Sequence, residues 1–212
     1  MSNTKPRNAR AERAVRDLLV ALGQDPDREG LRDTPRRVSQ AIAEMTAGEQ
    51  ETAETHLQVT FDGGDYDEVI ALTGIPFTSM CEHHLLPFSG VAAVAYLPGI
   101  VPPELTGSAL DPSPMPLPEK RYRVVGISKL ARVVEVFARR LQLQEKLTMQ
   151  VAKALEEHLQ PRGVAVRVEA THGCMECRGV LKPGVVMKTQ ALLGTFGKDA
   201  ALRAEVLALL SS

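Results

Sequence analysis

The sequence has 212 residues, a formal net charge of -1 and no tryptophan. This length allows one domain with a substantial core plus further helices or an insertion. The near-zero net charge lacks the clustered basic excess of nucleic-acid-binding proteins, so no nucleic-acid partner is expected. Residues 1–13 are polar and basic, and no run of about 18 apolar residues occurs, so neither a secretory signal nor a membrane span is expected. Three cysteines in such a chain favour a reducing, cytoplasmic compartment over a disulfide framework.

The N-terminal part of the chain is predicted to be helical. Residues 1–8 are predicted as a flexible tail, and residues 9–50 as an N-terminal helical region with two helices. Apolar residues recur with helical spacing from position 15 to position 22, which indicates an amphipathic first helix. Thr34 followed by Pro35 is typical of a helix start, with Thr34 as the capping residue. The buried face of this second helix is predicted to consist of Val38, Ala41, Ile42 and Met45.

Residues 51–212 are predicted to form one catalytic domain. Ser128 is predicted to cap one helix, and a second helix is predicted from position 144 to position 159. The order strand, strand, helix, helix, strand, strand predicts an α+β fold, an antiparallel four-stranded sheet with two helices. Such a small sheet leaves its edges unpaired, so self-assembly is expected. The predicted strands cover residues 69–73, 91–97, 164–170 and 185–193.

Residues 98–122 interrupt this pattern. They hold seven prolines, few large apolar residues and no hydrophobic period. This composition predicts a long surface insertion within the catalytic domain.

Two segments, residues 79–84 and 171–179, together hold all three cysteines and three of the five histidines. Thiolate and imidazole are the ligands that zinc prefers in proteins. The spacing leaves three hypotheses open: a catalytic zinc site with one open position, a closed structural zinc site, or no metal. The open site would leave other histidines for proton transfer, because imidazole titrates near neutral pH. The closed site would draw its ligands from Cys81, His83 or His84, Cys174 and Cys177.

A second cluster is basic. Ser128 and Lys129 lie at a predicted helix start, with Arg132 one turn further on, and Arg178 follows the second cysteine-containing segment. Backbone N–H groups at a helix start favour anions, and nearby cations strengthen that preference. A solvated basic helix face is the alternative interpretation. Glu145, at the start of the next predicted helix, fits a favourable contact with the helix dipole as well as a ligand contact.

Five stretches of the sequence resemble the GTP cyclohydrolase I family, which makes the first pterin intermediate from GTP. They are residues 30–38, 76–84, 126–132 and 140–148, and the motif His172-x-Cys174-x-x-x-Arg178-Gly179. The resemblance extends over residues 10–97 and 123–210, with the stretches in the family's order. It implies the tunnelling fold and assembly into a ring-shaped homo-oligomer, a decamer with its sites at subunit interfaces.

The resemblance also implies roles for individual residues. Zn²⁺ would be bound by Cys81, His84 and Cys174. His172 would be the acid–base group at the imidazole ring of guanine, and His83 would stand near the ribose.

Substrate contacts are implied in the same way. Glu145, helped by Gln144, would bind the guanine edge. Ser128 would handle protons during the later steps. The triphosphate would be held by Ser128, Lys129, Arg132 and Arg178, with Arg37 from a neighbouring part of the assembly.

The implied reaction is hydrolytic. A zinc-activated water attacks C8 of guanine while His172 protonates N7, the ring opens, and formate is lost. The ribose then rearranges and closes to 7,8-dihydroneopterin triphosphate, the first step of tetrahydrofolate and pterin biosynthesis. Two features depart from the family pattern, Cys177 and the insertion at 98–122, and neither involves an assigned residue.

Two other functions compete with this interpretation. One is a nitrile reductase acting on deazaguanine, a relative on the same fold that uses a cysteine nucleophile and NADPH without the zinc ligand set. The other is a non-catalytic oligomer stabilised by zinc. The open fourth ligand position and the presence of His172 favour the zinc-dependent enzyme.

Overall fold

The structure, a computed structural model, describes residues 8–100 and 121–211. Residues 1–7 of the predicted tail therefore lie outside the described residues, as do residues 101–120 of the predicted insertion. The described chain divides into two units, one up to Ala47 and the other from Gly48 onward. No helix in the described ranges is long and apolar enough to cross a membrane.

The first unit contains helices α1 (Ala9–Ala21) and α2 (Thr34–Met45). Asn8 belongs to this unit rather than to a tail, because its side chain caps α1 by accepting a hydrogen bond from the backbone N–H of Ala11 over 3.1 Å.

The start and the packing of α2 differ from the prediction. The capping position falls on Asp33, one residue before Thr34, because Thr34 already has helical backbone geometry. The predicted buried face is only partly buried: Ala41 is exposed, and the other three residues are half-buried. The buried residues of α2 are Pro35 and Ser39.

The second unit is an α+β structure. A 3₁₀ turn, Ala47–Gln50, includes the last residue of the first unit and the first residues of the second. Its strands are β1 (Thr60–Asp62), β2 (Ile70–Cys81), β3 (Pro87–Leu97), β4 (Arg123–Val125), β5 (Leu141–Gln142), β6 (Gly163–His172) and β7 (Val186–Gly194). Its helices are α3 (Ala53–Leu57), α4 (Ile127–Ala138), α5 (Gln144–Leu159), α6 (Gly173–Glu176), α7 (Thr195–Lys198) and α8 (Ala200–Leu209).

The main sheet has five strands in the order β5-β2-β3-β6-β7. Its four long strands are antiparallel, as predicted. The predicted four-stranded sheet is incomplete, because β5 adds a fifth strand that runs parallel to β2 and makes the sheet mixed. β5 has two residues, too few for any periodicity to show in the sequence. Strands β1 and β4 form a separate two-stranded sheet.

Strand β2 is much longer than predicted. The register with β3 shifts between Leu72 and Ile75, and Gly74 between them has a φ of 67°. The predicted strand, residues 69–73, ends just before this bulge, whereas β2 continues beyond it. Beyond the bulge, β2 continues to Cys81, which belongs to the candidate site.

The core has two parts, one on each face of the sheet. On one face, Val94 and Val166 of the sheet pack with Leu130 of α4 and Leu147 of α5. On the other face, a smaller cluster joins the sheet to Phe196, Val206 and Leu210 near the C-terminus. Strand β3 serves both parts by alternation, with Ala92, Val94 and Tyr96 in the first cluster and Ala93, Ala95 and Leu97 in the second.

Both ends of the predicted insertion belong to the folded unit. Tyr122 is buried, and it forms an isolated antiparallel bridge with Ile100. Pro98 is buried, and its carbonyl oxygen accepts a hydrogen bond from Arg162 over 2.9 Å. The predicted limits of 98 and 122 are therefore too wide.

Candidate metal and substrate site

The first half of the site is the turn that joins β2 to β3. The backbone N–H of Leu85 donates to the carbonyl oxygen of Cys81 over 2.9 Å, which forms one turn of helix. Leu85 has a φ of 52°, an uncommon value for a residue other than glycine, and it lets the chain reverse. The N–H of Cys81 then donates to the carbonyl oxygen of Leu86 over 2.9 Å. Cys81 and His84 thus lie on one short, well-bonded turn.

The second half comes from the end of β6. His172 pairs with Phe88 at the start of β3, so β6 ends beside the first half of the site. Gly173 follows, where an added Cβ would lie 2.9 Å from the carbonyl oxygen of Pro87. Only a residue without a side chain allows the chain to pass so close to β3. The next residue, Cys174, therefore lies close to the turn that contains Cys81.

Cys81, His84 and Cys174 form a group of possible metal ligands. Their ligand atoms all lie within 4.8 Å of one another, and Cys81 Sγ is 3.7 Å from His84 Nδ1. Zinc–sulfur and zinc–nitrogen bonds of normal length give a sulfur–nitrogen edge of about 3.6 Å in a tetrahedral site. Within residues 8–100 and 121–211, this group includes neither His83 nor Cys177. The geometry thus supports three ligands rather than a closed four-ligand site.

The protonation of the group is sensitive to its surroundings. Burial, followed by the neighbouring Cys81 sulfur, raises the pKa of the Cys174 thiol. A thiol must lose its proton to bind a metal, so metal binding would release protons and weaken as the pH falls.

Cys177 lies apart from these ligands. Its side chain is exposed at the C-terminal end of the short helix α6, and Sγ donates to the carbonyl oxygen of Gly173 over 2.8 Å. We expect Cys177→Ser to keep the metal content per chain and most of the activity, because a serine hydroxyl can make the same hydrogen bond. Metal analysis of the purified variant checks this prediction. Loss of the metal in Cys177→Ser would instead support the closed structural site.

The His172 ring is held on two sides. It stacks on Phe88 with ring centroids 4.6 Å apart and planes 2° from parallel. Its Nε2 is 2.8 Å from Oε1 of Gln144. Burial lowers the pKa of His172, while the negative charges of Glu145 and Glu176 oppose that shift. Burial thus favours the neutral form of this imidazole, which lies two residues before Cys174.

Gln144 and Glu145 are neighbours at the start of α5, but their side chains point in different directions. Gln144 is 1% exposed, whereas Glu145 is exposed. The Gln144 amide is bonded to protein groups on β6 and β7 as well as to His172. Its implied contact with guanine stays a prediction, and the structure gives the side chain other partners.

The first turns of α4 carry three of the implied phosphate-binding residues. The helix begins at Ile127 with Gly126 in the capping position, so the prediction that Ser128 caps it is wrong. Ser128 and Arg132 are exposed and Lys129 is half-buried. No hydrogen bond or ion pair in the described part of the chain connects these three side chains to Cys81, His84 or Cys174.

The three remaining predicted residues, Arg178, His83 and Arg37, lie in different surroundings. Arg178 lies at the ligand group, with Nη1 3.0 Å from Nε2 of His84. The His83 ring is exposed, and its centroid is 6.2 Å from that of His84. Arg37 lies in the first unit, where its guanidinium is 3.7 Å from Asp33 and hydrogen-bonded to Thr34.

Three residues near the site had no assigned role before the structure. Phe88 supports the His172 ring, and Thr148 and Thr189 extend the hydrogen bonds around Gln144. The spacing of Thr148, one turn after Gln144, is a signal that the sequence does contain. The positions of Phe88 and Thr189 depend on strand register, which a single sequence does not specify.

Comparison with known proteins identifies a family. The sequence model of the GTP cyclohydrolase I family matches residues 11–103 and 117–211. GTP cyclohydrolase 1 of Mycobacteroides abscessus is 49% identical over 202 residues, which cover 95% of this chain and 89% of that protein. GTP cyclohydrolase 1 of Bacillus pumilus is 46% identical over 201 residues, which cover 95% of both chains.

Among solved structures, the archaeosine synthase QueF-Like in its apo form aligns with 59% of this chain and 93% of its own. The TM-score is 0.40 at 18% identity, too low to support an argument about this protein. The family model and the relatives named above each match nearly the whole sequence. The chain belongs to the GTP cyclohydrolase I family.

Proposed function

We propose that this protein opens the imidazole ring of the guanine of GTP by hydrolysis, releases formate and forms 7,8-dihydroneopterin triphosphate. The observation that carries the proposal is the group formed by Cys81, His84 and Cys174 with the His172 ring beside it. The relatives named GTP cyclohydrolase 1 support the same substrate and reaction.

The donor set fits zinc. Two thiolates and one imidazole are soft to borderline ligands, a combination that suits zinc and excludes magnesium or calcium. Three protein ligands leave one position for water or substrate, the arrangement of catalytic rather than structural zinc sites. When bound, zinc supplies Lewis acidity and makes a water nucleophilic at neutral pH.

His172 is proposed to handle the proton at N7 of guanine. Its ring is anchored by Phe88 and Gln144 and lies two residues before Cys174, so the acid–base group and the ligand group share one segment. His83, exposed on the first segment, and Ser128 are proposed to handle protons near the ribose.

Charged residues are proposed to bind the two ends of GTP. Glu145, exposed at the start of α5, would accept hydrogen bonds from the guanine edge. Arg178, Lys129 and Arg132 would bind the triphosphate, since guanidinium and ammonium groups match phosphate oxygens. Arg37 would join them from a neighbouring part of the assembly.

We further propose the tunnelling fold in a ring-shaped homo-oligomer, a decamer with sites between subunits. Among the described strands, β7 pairs only with β6, and β2 pairs with β5 only at Met80 and Cys81. Long open edges of this kind are normally covered or paired. The second cysteine-containing segment also exposes Met175, and the residues that follow it expose Val180, Leu181, Val185 and Val186. Both observations support contacts with further copies of the chain.

A fluorescence assay tests the proposed function. Purified protein with zinc and GTP is expected to yield a product that oxidises to a fluorescent pterin, with release of formate. Treatment with a chelator should abolish turnover, and added zinc should restore it. A zinc-loaded, folded protein that forms no pterin from GTP would contradict the proposal.

A further inference from the structure

We propose that Gln144 is a positioning residue that fixes the tautomer of His172, with the ring proton on Nε2, so that Nδ1 is the ring nitrogen that exchanges a proton with the substrate. The proposal rests on the proposed function for the identity of the substrate. It assigns Gln144 to the acid–base group rather than to the guanine edge. Six hydrogen bonds around Gln144 fix its orientation and that of His172.

The partners of the Gln144 amide fix its orientation. Its Nε2 is 3.0 Å from the carbonyl oxygens of Val168 and Met187, and 3.2 Å from Oγ1 of Thr189. Backbone carbonyls only accept hydrogen bonds. The atom that faces them must therefore be the amide nitrogen, because a flipped amide would place its oxygen against two carbonyl oxygens. This fixes Oε1 as the atom that faces His172.

The hydroxyl groups confirm that direction. Thr148 Oγ1 donates to the carbonyl oxygen of Gln144 over 2.7 Å, which uses its only proton. The hydroxyl oxygens of Thr148 and Thr189 are 2.6 Å apart. Because the Thr148 proton is already used, Thr189 must be the donor to Thr148. Thr189 is left to accept from the Gln144 amide. The bonds form a closed ring that begins and ends at Gln144, in which the two amide N–H groups are shared among three acceptors, on Val168, Met187 and Thr189.

The tautomer follows from the acceptor. Gln144 Oε1 cannot donate, and it lies 2.8 Å from His172 Nε2. Nε2 must therefore carry a proton in the neutral ring as well as in the cation. Gln144 is itself 1% exposed, so water cannot easily replace it as the partner.

The plane of the ring is fixed separately. Phe88 stacks on His172 with planes 2° from parallel, and Phe77 packs edge-on against Phe88 with centroids 5.9 Å apart. Stacking prevents the ring from tilting, and the bond to Gln144 prevents it from turning in its plane. Because Nε2 is bonded to Gln144, Nδ1 is the ring nitrogen that remains to exchange a proton with the substrate.

Spectroscopy and kinetics together test this role. Protein labelled with ¹⁵N-histidine is studied by solid-state NMR at a pH where the ring is neutral, and His172→Asn identifies the His172 signals. We expect the proton on Nε2 in the native protein and a mixture of tautomers in Gln144→Leu. In that variant kcat for ring opening should fall by about 10²- to 10⁴-fold, the contribution of a general acid. KM for GTP and the zinc content should stay close to native.

Thr189→Val is the matched control. It is nearly isosteric and breaks the same ring of hydrogen bonds on the side away from His172. Val168 and Met187 still orient the amide in this variant, so the tautomer should be retained and kcat should stay near native. A similar loss in Thr189→Val and Gln144→Leu would show a general packing effect and overturn the specific role.

Other outcomes are equally decisive. An Nδ1–H tautomer in the native protein would overturn the proposal even if Gln144→Leu fails to fold. A raised KM with unchanged kcat in Gln144→Leu would make Gln144 a substrate-binding residue instead. If native protein does not convert GTP at all, the proposed function fails, while the tautomer measurement still decides whether Gln144 positions His172.

Discussion

Cys174→Ser is expected to remove the metal and, with it, nearly all ring opening of GTP. Cys174 is one of only two thiol ligands in a three-residue group, and a serine hydroxyl binds zinc weakly at neutral pH. The remaining Cys81 and His84 would hold zinc too loosely to survive dialysis. Without the Lewis acid, attack on the guanine ring would need an unactivated water, so kcat should fall by roughly 10³-fold or more.

The measurement is the zinc-to-chain ratio by elemental analysis, together with pterin formation from the same preparation. Cys177→Ser is the control, since it makes the same chemical change three residues further along the chain and should keep zinc. Circular dichroism of both variants separates loss of metal from loss of fold. Full zinc content and full turnover in Cys174→Ser would show that the ligand group is wrongly identified.

Much of the fold could be predicted because its helices follow simple periodicity. Helix α5 has the predicted limits, and Leu147, Val151 and Leu155 are buried as their spacing requires. Strand β6 alternates clearly and was predicted to within two residues at each end. The strand predicted over residues 69–73 ended before the bulge at Gly74, although β2 continues to Cys81.

The candidate site was less accessible to prediction from local patterns. Spacing alone left the closed, open and metal-free hypotheses unresolved, because nothing local says which of two adjacent histidines shares a face with Cys81. The turn from Cys81 to Leu85 places His84 with Cys81, and the register of β3 against β6 brings Cys174 to that turn. Pairing between strands over 80 residues apart is a property of tertiary structure, which one sequence does not encode visibly.

The direction of the Gln144 side chain illustrates the same limit. At the first positions of a helix, neighbouring residues point about 100° apart, so one of Gln144 and Glu145 can enter the core while the other faces solvent. Composition favours neither outcome, since both are polar. The carbonyl oxygens of Val168 and Met187 provide a buried place for an amide, but not for a carboxylate. The glutamine is therefore buried, and the glutamate faces solvent.

Glu145 is accordingly expected to determine the choice of base. Its exposed carboxylate acts on His172 electrostatically, so it lies near the proposed acid–base group. Two carboxylate oxygens can accept from N1–H and the 2-amino group of guanine, a donor pair that adenine lacks. A site built around such hydrogen bonds rejects the wrong partner by about 10⁴- to 10⁵-fold. Native protein should therefore prefer GTP to ATP by that factor in kcat/KM.

Glu145→Gln should lower kcat/KM for GTP by roughly 10²-fold or more, because the amide offers one acceptor and turns a donor towards a donor. Pterin fluorescence measures the GTP reaction, and formate release measures both nucleotides. Glu156→Gln is the matched control: it makes the same change of charge at an exposed position about three turns along α5, on the same side of the helix, and should keep native kinetics. Comparable turnover of ATP and GTP by the native protein would contradict the assignment, as would native kinetics in Glu145→Gln. A fall in both variants would trace the effect to the charge of the helix rather than to contact with guanine.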